Sequence, residues 1–368
     1  MGTARLYLAL CVVLGHCGVT GYFIASEFAV HLFFVISGFC MALVLNRKYD
    51  DATTFYVARI MRLWPTYAVV VAIAALLGRT MQAPDSGLLT QIYFWFSAST
   101  LLGFDTLWWF SSKDMSFLTS LPPFTQHLAR LTNMQHMWSV GIELTFYVVA
   151  PLVARRKKLV FALVPIALLI SLSLSSNLEK TNPIVVRSAV SFFWLFATGM
   201  AAYWIYAGAP AFVRKIRNRA WLGVGVGLVS SIGAIVLYHP HLPLPAQPIR
   251  EVIAVFMFAA GMIVAFASAN ASSLDRKIGD LSYPIYVVHW PLLPLYMRGV
   301  NGQIVPAIAV VCVSLIAAYL LNVCVEKQID RFRARLVRND RLNRPVSEDN
   351  LQVAIGAVDV KAGAAQNR

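Results

Sequence analysis

Long hydrophobic runs, separated by short polar links, organise almost the whole chain. Each run is about 18 to 22 residues long, which at roughly 1.5 Å per residue matches a membrane hydrocarbon core about 30 Å thick. Ten runs are predicted to be transmembrane helices, with bounds 6–24, 28–46, 55–78, 137–154, 158–176, 186–207, 220–238, 250–269, 281–297 and 303–325. The pattern therefore predicts an all-α, polytopic membrane helix bundle.

One apolar and aromatic stretch, from Leu88 to Phe110, does not fit a further crossing. A complete helix there would place the basic residues 155–158 on the side opposite to the other basic links. We therefore predict a re-entrant or interfacial segment, since it is rich in Trp and Tyr as membrane interfaces are. The loop 111–133 that follows either closes over a substrate or lies at the headgroup level.

Composition and charge support the membrane class. Hydrophobic residues make up 58% of the chain and charged residues 13%, which leaves too little polar surface for a soluble fold. The net charge of +14 comes from Lys and Arg gathered in the links 47–48, 155–158, 214–219 and 276–277 and in the tail from residue 327. By the positive-inside rule these face the cytoplasm, so both termini are predicted to be cytoplasmic, in the inner membrane. The net positive charge is thus explained by the orientation of the chain in the membrane, and no nucleic-acid partner is expected.

The ends of the chain and its cysteines complete this prediction. The first run is expected to be retained rather than cleaved as a signal peptide, because it is long and carries Arg5 and His16. Residues 1–330 are predicted to form one membrane domain, and residues 331–368 a basic and then disordered cytoplasmic tail. The five cysteines lie inside apolar runs without metal-ligand spacing, so no metal site is predicted.

Arg5 and His16 are ionisable residues at the edge and the middle of one apolar run, where each costs about 2.5 to 3.5 kcal/mol. Eleven positions apart, they return to within about 20° of one helix face, with a rise of roughly 16 Å. This separation suits a donor with an anionic head and a long arm, such as acyl-coenzyme A. Its reactive end would then reach a mostly neutral His16 able to act as a base. A hydrogen-bonded core histidine beside a snorkelling arginine fits the spacing equally well.

Arg59 and Arg62 lie on one face at the start of the third run, where they either grip phosphate or anchor the cytoplasmic end. Glu143, in an apolar context, either orients a histidine or the acceptor sugar or forms a structural pair. Ser37, beside Gly38, more often marks close helix packing than chemistry.

His289 falls near mid-depth in the run that begins Ser282-Tyr283, so His16 and His289 are expected to face one cavity. Ser37, Tyr283 and His289 are therefore kept as additional candidate site residues.

Four motifs occur in order: Arg-x10-His (Arg5, His16), FFVISGF followed by RIMR (Arg59, Arg62), MWSVGIELTFY (Glu143) and SYPIYVVHWPL (His289). Together they resemble the membrane-bound acyltransferase 3 family, over about residues 5–330. The resemblance implies about ten transmembrane helices with cytoplasmic ends, and transfer of acyl groups, commonly acetyl, from cytoplasmic acyl-coenzyme A to extracytoplasmic glycans. It implies that His16 is the base or a transient acyl carrier, that the three arginines bind the donor, and that Glu143 is essential. It leaves the role of His289 unspecified.

The sequence departs from the family pattern in two places. The usual double acid is here reduced to Glu143, within Gly141-Ile142-Glu143-Leu144, and the basic pair before the third-run motif is reduced to Ala58-Arg59. Some larger family members also carry a soluble hydrolase-like domain after the last helix. Any second transfer is expected to be made by this chain or by a partner.

The sequence therefore predicts an O-acyltransferase with acyl-coenzyme A as co-substrate, a glycan or glycolipid acceptor, and glycan biosynthesis or export proteins as candidate partners. The mechanism needs a passage from the basic rim to His16. A proton-coupled transporter or flippase of a glycan precursor is the main alternative, because carriers also use midplane His and Glu, although no inverted repeat is seen. A catalytically idle sensor is a third. The acceptor and acyl group stay open.

Overall fold

The computed structural model describes residues 2–19, 21, 23–49, 51–119, 127–217, 219–238, 247–268, 273–296 and 303–332. Within these residues the fold is helical. The helices are α1 Gly2–His16, α2 Ser26–Arg47, α3 Ala52–Leu76, α4 Leu88–Thr100, α5 Trp138–Val153, α6 Lys157–Asn177, α7 Pro183–Val186, α8 Ala189–Gly208, α9 Pro210–Ile216, α10 Ala220–Tyr238, α11 Gln247–Ser268, α12 Ser273–Asp280, α13 Ser282–Tyr296 and α14 Ile304–Leu321. A π-helical turn, Asn322–Glu326, continues α14. The predicted disordered tail lies outside the described residues from 333 onward.

Each predicted crossing falls on one of these helices. Seven segments of the described chain are long and apolar enough to cross a membrane by themselves: Ser26–Arg47, Ala52–Leu76, Gln135–Val153, Lys157–Asn177, Pro183–Gly208, Pro248–Ser268 and Ile304–Phe332. The first crossing is shorter than predicted, because α1 ends at His16 and the chain then turns at Gly18 and Gly21, both with positive φ. The protein is thus a membrane helix bundle, and the number of its crossings stays a prediction.

The basic links meet at one end of the bundle. Arg155 donates hydrogen bonds to the carbonyls of Leu45 and Tyr49, which joins the α5–α6 link to the α2–α3 link. Arg47 lies over the ring of Tyr206, near the end of α8. We call this the basic end. At the opposite end, a hydrogen bond from the Trp109 indole to the carbonyl of Arg187 joins the loop after α4 to the start of α8.

Helix α12 also lies at the basic end, where the Asp275 carboxylate accepts hydrogen bonds from the backbone N–H groups of Gly2 and Thr3. Burial raises the pKa of Asp275, but the hydrogen bonds from Thr3 and Gly2 outweigh burial and hold this pKa well below its ordinary value. The contact fixes the start of α1, and with it the position of Arg5.

Helices α2 and α8 approach so closely that only glycine fits between them. A Cβ on Gly199 would lie 2.0 Å from the carbonyl oxygen of Val35, and one on Gly38 would lie 2.2 Å from that of Phe196. Small residues of this kind let backbones approach within a membrane. The predicted packing role of the Ser37-Gly38 pair is therefore confirmed for Gly38.

The segment predicted to be re-entrant or interfacial contains a helix too short to cross. Helix α4 has 13 residues and rises about 20 Å, less than a hydrocarbon core. The chain then turns at Leu101 and Gly103, both with positive φ, and packs Phe104 and Asp105 against Gly141 of α5. The described residues 101–119 and 127–137 thus lie over the opposite end of the bundle as a loop.

Two titratable groups are enclosed in this loop. Burial raises the pKa of Asp105 to about 7. Burial, together with the charges of Arg187 and Arg130, lowers the pKa of His127 to about 4. The His127 ring stacks on Trp108, with 3.9 Å between ring centroids. The described part of the loop is therefore a cap over this end of the bundle, in which burial disfavours the charged forms of Asp105 and His127, while Lys113, Asp114 and Arg130 are exposed.

Candidate active site

A polar cavity of about 620 Å³ lies between α1, α2, α3, α5 and α13. Its walls are Arg5, Val30, Phe33, Phe34, Ser37, Arg62, Leu63, Ser139, Val140, Glu143, Tyr147, Ser282, Tyr283 and Tyr286. Five of the eight predicted site residues therefore line one cavity: Arg5, Ser37, Arg62, Glu143 and Tyr283. We call it the arginine cavity.

Arg5 and Arg62 supply the positive charge of this cavity. Arg5 comes from the first turn of α1 and Arg62 from the third turn of α3, and their charges repel each other. Nε of Arg5 is buried and has no hydrogen-bond partner among the described residues. Two guanidinium groups held together against their repulsion, one with an unused donor, form a site for an anion such as a phosphate.

Glu143 provides the carboxyl group of the arginine cavity, and two hydroxyl groups donate hydrogen bonds to one of its oxygens. Its Oε1 atom accepts hydrogen bonds of 2.5 Å from Oγ of Ser37 and from the phenol of Tyr147. An ionised carboxylate only accepts, so both hydroxyls are held with their protons toward Glu143. Glu143 therefore fixes the wall of the cavity through Oε1, while no hydrogen bond to its Oε2 is found among the described residues.

Arg59 lies outside the arginine cavity. Its guanidinium packs on the rings of Phe55 and Tyr147, 5.3 Å from each centroid. This cation–π contact backs the same tyrosine that donates to Glu143. The structure thus separates the two arginines of the third run: Arg62 faces the cavity and Arg59 supports its wall.

A smaller cavity of about 400 Å³ adjoins the arginine cavity toward the basic end, and both share Arg62 and Tyr283. Tyr283 uses its hydroxyl to donate to the carbonyl of Leu63, so it ties α13 to α3 at this junction. Glu326, in the π-helical turn, lines the smaller cavity and accepts from Thr66 and Asn322. Local π-helical turns are frequent at functional sites. The smaller cavity thus lies between the arginine cavity and the basic end.

His16 and His289, which were predicted to face one cavity, contact each other directly. Nδ1 of His16 lies 2.9 Å from Nε2 of His289, and the rings are nearly parallel with centroids 5.2 Å apart. Trp290 packs edge-on against His16 and stacks on a third ring, His136, which in turn contacts His289. His289 is fully buried, whereas His16 keeps an exposed side. The three rings and Trp290 form what we call the histidine cluster.

The hydrogen bonds of the pair define its tautomers. Nδ1 of His289 lies 3.1 Å from the carbonyl oxygen of Ile285, which only accepts, so this nitrogen carries a proton. In a neutral ring Nε2 of His289 is then an acceptor, and Nδ1 of His16 must donate to it. Nε2 of neutral His16 is consequently left with a bare lone pair. That nitrogen is able to take a proton or attack a carbonyl carbon.

The arginine cavity and the histidine cluster are neighbouring sites rather than one. His16 and His289 do not line the arginine cavity, and Tyr286 stands between. The Tyr286 hydroxyl donates to the carbonyl of His136 at 2.6 Å and contacts Oγ of Ser139 at 2.6 Å. The single passage predicted from the shared face of α1 is therefore divided. The spacing of Arg5 and His16 along α1 predicts that they share one face of that helix. It does not predict that Tyr286 of α13 lies between them.

Sequence reasoning missed several residues of the site: His136, Ser139, Tyr147, Arg187 and Tyr286. Both ring nitrogens of His136 are buried without a hydrogen-bond partner among the described residues. Arg187 lies at the start of α8 with its guanidinium 4.2 Å from the ring centroid of Trp138, and its charge acts on His16. Arg187 stands at the edge of an apolar run, as Arg5 does, and this position was the signal for it in the sequence.

The fold and site define a class of protein: a membrane helix bundle in which a two-arginine cavity adjoins a histidine with a bare ring nitrogen. Comparison with known proteins agrees with this class. The acyltransferase 3 family model, described as an acyltransferase domain, matches residues 3–323. The chain belongs to this family.

Curated relatives in three strains of Staphylococcus aureus, COL, MSSA476 and MRSA252, are provisionally named O-acetyltransferases. Each is 25% identical to this chain over 157 residues, which is 40% of this chain and 23% of the relative. The matched part is thus less than a quarter of each relative's own length. No solved structure matches the chain.

Proposed function

We propose that this protein is an inner-membrane O-acyltransferase. It moves an acyl group, most simply acetyl, from cytoplasmic acyl-coenzyme A to a hydroxyl of an extracytoplasmic or lipid-linked glycan. The observation that carries the proposal is the His16–His289 pair, because it presents a bare Nε2 on a ring with an exposed side. Family membership and the O-acetyltransferase name of the relatives support the reaction class.

The arginine cavity binds the donor in this proposal. Arg5 and Arg62 contact phosphate oxygens of coenzyme A, and the unused Nε of Arg5 gains an acceptor. Glu143 acts on the charges of both arginines, but its Oε1 atom is bound by Ser37 and Tyr147 rather than by a guanidinium group. In this proposal coenzyme A enters from the basic end through the smaller cavity, whose lining joins Arg62 to the acidic residues Asp280, Glu326 and Asp330. The basic end and both termini then face the cytoplasm.

The thioester passes Tyr286 to reach His16. This passage needs the Tyr286 side chain to turn away from the carbonyl of His136, so two hydrogen bonds separate the closed and open arrangements. His136 is the proposed donor to the developing oxyanion, because its ring nitrogens have no hydrogen-bond partner among the described residues and it contacts His289 beside His16.

Transfer then follows from the tautomers. The acceptor hydroxyl attacks the thioester carbon as Nε2 of His16 takes its proton, so a C–O bond forms and the C–S bond breaks. The coenzyme A thiolate leaves and receives the proton from His16. His289 accepts a charge-assisted hydrogen bond from the transient imidazolium. A covalent acyl-His16 intermediate would use the same lone pair, with the imidazole as the attacking group.

The test uses the full chain in lipid nanodiscs with acetyl-coenzyme A and surface glycan from a deletion strain. Glycan-dependent release of coenzyme A thiol and ester signals by NMR are expected for the wild type and absent for His16→Asn. Arg62→Ala is expected to raise the KM for acyl-coenzyme A. Its matched control is Arg276→Ala, because Arg276 is an exposed arginine at the basic end outside both cavities. Full ester formation by His16→Asn would overturn the proposal. So would glycan transport into proteoliposomes without acyl-coenzyme A, which the carrier alternative requires.

A further inference from the structure

A third cavity, of about 940 Å³, lies at the opposite end of the bundle between α2, α6, α7, α8 and α11. Its polar lining includes Glu27, His31, Lys180, Arg187 and Glu251, beside the aromatic rings of Phe192 and Trp194. None of its lining residues belongs to the arginine cavity. We call it the outer cavity.

The charges of the outer cavity are arranged in balanced pairs. Nη2 of Arg187 lies 3.3 Å from Oε1 of Glu27, and Nδ1 of His31 lies 2.7 Å from Oε1 of Glu251. The cavity thus holds two carboxyl groups, of Glu27 and Glu251, beside the basic side chains of Arg187 and Lys180. The arginine cavity, in contrast, holds two guanidinium groups and the single carboxyl group of Glu143. The outer cavity therefore favours an uncharged ligand with many donors and acceptors over an anion.

Arg187 links the outer cavity to the histidine cluster. Its guanidinium lies between two indole rings, 4.2 Å from the centroid of Trp138 and 5.2 Å from that of Trp108, and its Nε has no hydrogen-bond partner among the described residues. Its charge also acts on His16 and on Tyr286. A ligand held by Arg187 is thus placed near the base.

We infer that the outer cavity binds the acceptor, and that the acceptor segment bound there is built of neutral hexoses. Sugar hydroxyls both donate and accept, so they satisfy carboxylates and the unused donor of Arg187 together. Phe192 and Trp194 line the cavity and add apolar surface for the C–H groups of sugar rings. The inference rests on the proposed function and adds the charge class and location of its acceptor.

Binding to the full chain in nanodiscs tests this, with three probes: maltohexaose, a galacturonic acid hexamer, and maltohexaose linked to polyprenyl diphosphate. We expect the neutral probes to bind more tightly than the acidic one. Binding of free maltohexaose identifies the sugar chain as sufficient, whereas binding of the lipid-linked form alone assigns part of the recognition to the lipid. Tighter binding of the galacturonic acid hexamer, or binding of none of the probes, would overturn the inference.

Two substitutions on one helix locate the site. Ser171→Trp fills the outer cavity from α6, whereas Ser173→Trp adds the same ring at an exposed position of α6 outside it. We expect Ser171→Trp to weaken neutral-probe binding at least about tenfold, with Ser173→Trp unchanged. Glu251→Gln, with its exposed counterpart Glu179→Gln, repeats the comparison without added volume. Equal binding by both members of each pair would refute the site.

Coenzyme A binding, measured on the same samples, separates the two proposals. It should be equal in wild type and Ser171→Trp, because the arginine cavity is untouched. If the wild type binds no coenzyme A, the proposed function fails. If coenzyme A binds and glycan is acylated while the outer-cavity variants behave as wild type, only the acceptor site fails.

Discussion

Replacement of His289 tests the tautomer argument directly. His289 does not take the acceptor proton; it holds the proton on Nδ1 of His16 and stabilises the imidazolium that forms during transfer. His289→Ala removes one hydrogen bond to a charged donor, worth about 1.5 to 3 kcal/mol. At about 1.4 kcal/mol per tenfold, kcat should fall by roughly 10- to 150-fold. The KM for acyl-coenzyme A should not change, because the arginine cavity is separate.

The assay is thiol release from acetyl-coenzyme A at saturating acceptor, with thermal unfolding of each variant as the check on folding. His289→Gln serves as the conservative variant, since its amide oxygen can still accept from Nδ1 of His16, and it should recover part of the lost rate. Nitrogen-15 NMR of labelled histidines would read the tautomer itself. A proton on Nε2 of resting, neutral His16, or a kcat within twofold of wild type for His289→Ala, would refute the reasoning.

Three further predictions concern the donor, the packing and the cap. Arg62→Ala should raise the KM for acyl-coenzyme A by roughly 10- to 100-fold through lost charge-assisted hydrogen bonds. Arg59→Ala should lower thermal stability and leave this KM nearly unchanged. Equal effects of the two substitutions on KM would contradict the separate roles of the two arginines. Gly199→Ala should cost about 1 to 3 kcal/mol of stability by overpacking, read as a lower melting temperature, with Gly208→Ala, where a Cβ meets nothing within 4 Å, as control. Asp105 has a pKa raised to about 7 by burial, so the folded state binds its proton more tightly and loses stability as pH rises from about 4 to 7. At pH 8 the free energy of unfolding of Asp105→Asn should therefore exceed that of the wild type by up to about 4 kcal/mol, and its melting temperature should be higher. At pH 4 the two proteins should be equally stable. A stability difference that does not vary with pH would exclude this titration.

The helices were predictable because the thickness of the membrane hydrocarbon core determines the length of each apolar run. Runs of about 20 apolar residues fall on α2, α3, α6 and α8 with little ambiguity. The early end of α1 was missed, since glycines at 18 and 21 sit inside an apolar run and signal a turn only through their φ angles.

The site was predictable as far as single helices determine it. Arg5 and Arg62 were expected to hold a donor head and share a cavity. His16 and His289 were expected to face one cavity, and they contact each other outside the arginine cavity. The partition by Tyr286 and the displacement of Arg59 onto Tyr147 depend on side chains from other helices. Periodicity along one helix carries no record of such contacts, so these features needed the three-dimensional arrangement.

The glycine contacts between α2 and α8 have a mechanical consequence. Sliding or rolling one helix against the other would bring a side chain into a gap that admits only hydrogen atoms, so the two must move as one body. Helix α2 contributes walls to the arginine cavity and to the outer cavity alike. The helices between the arginine cavity and the outer cavity therefore form a rigid unit. We expect substrates to enter these cavities through local rotations of side chains, without a movement of one half of the bundle against the other.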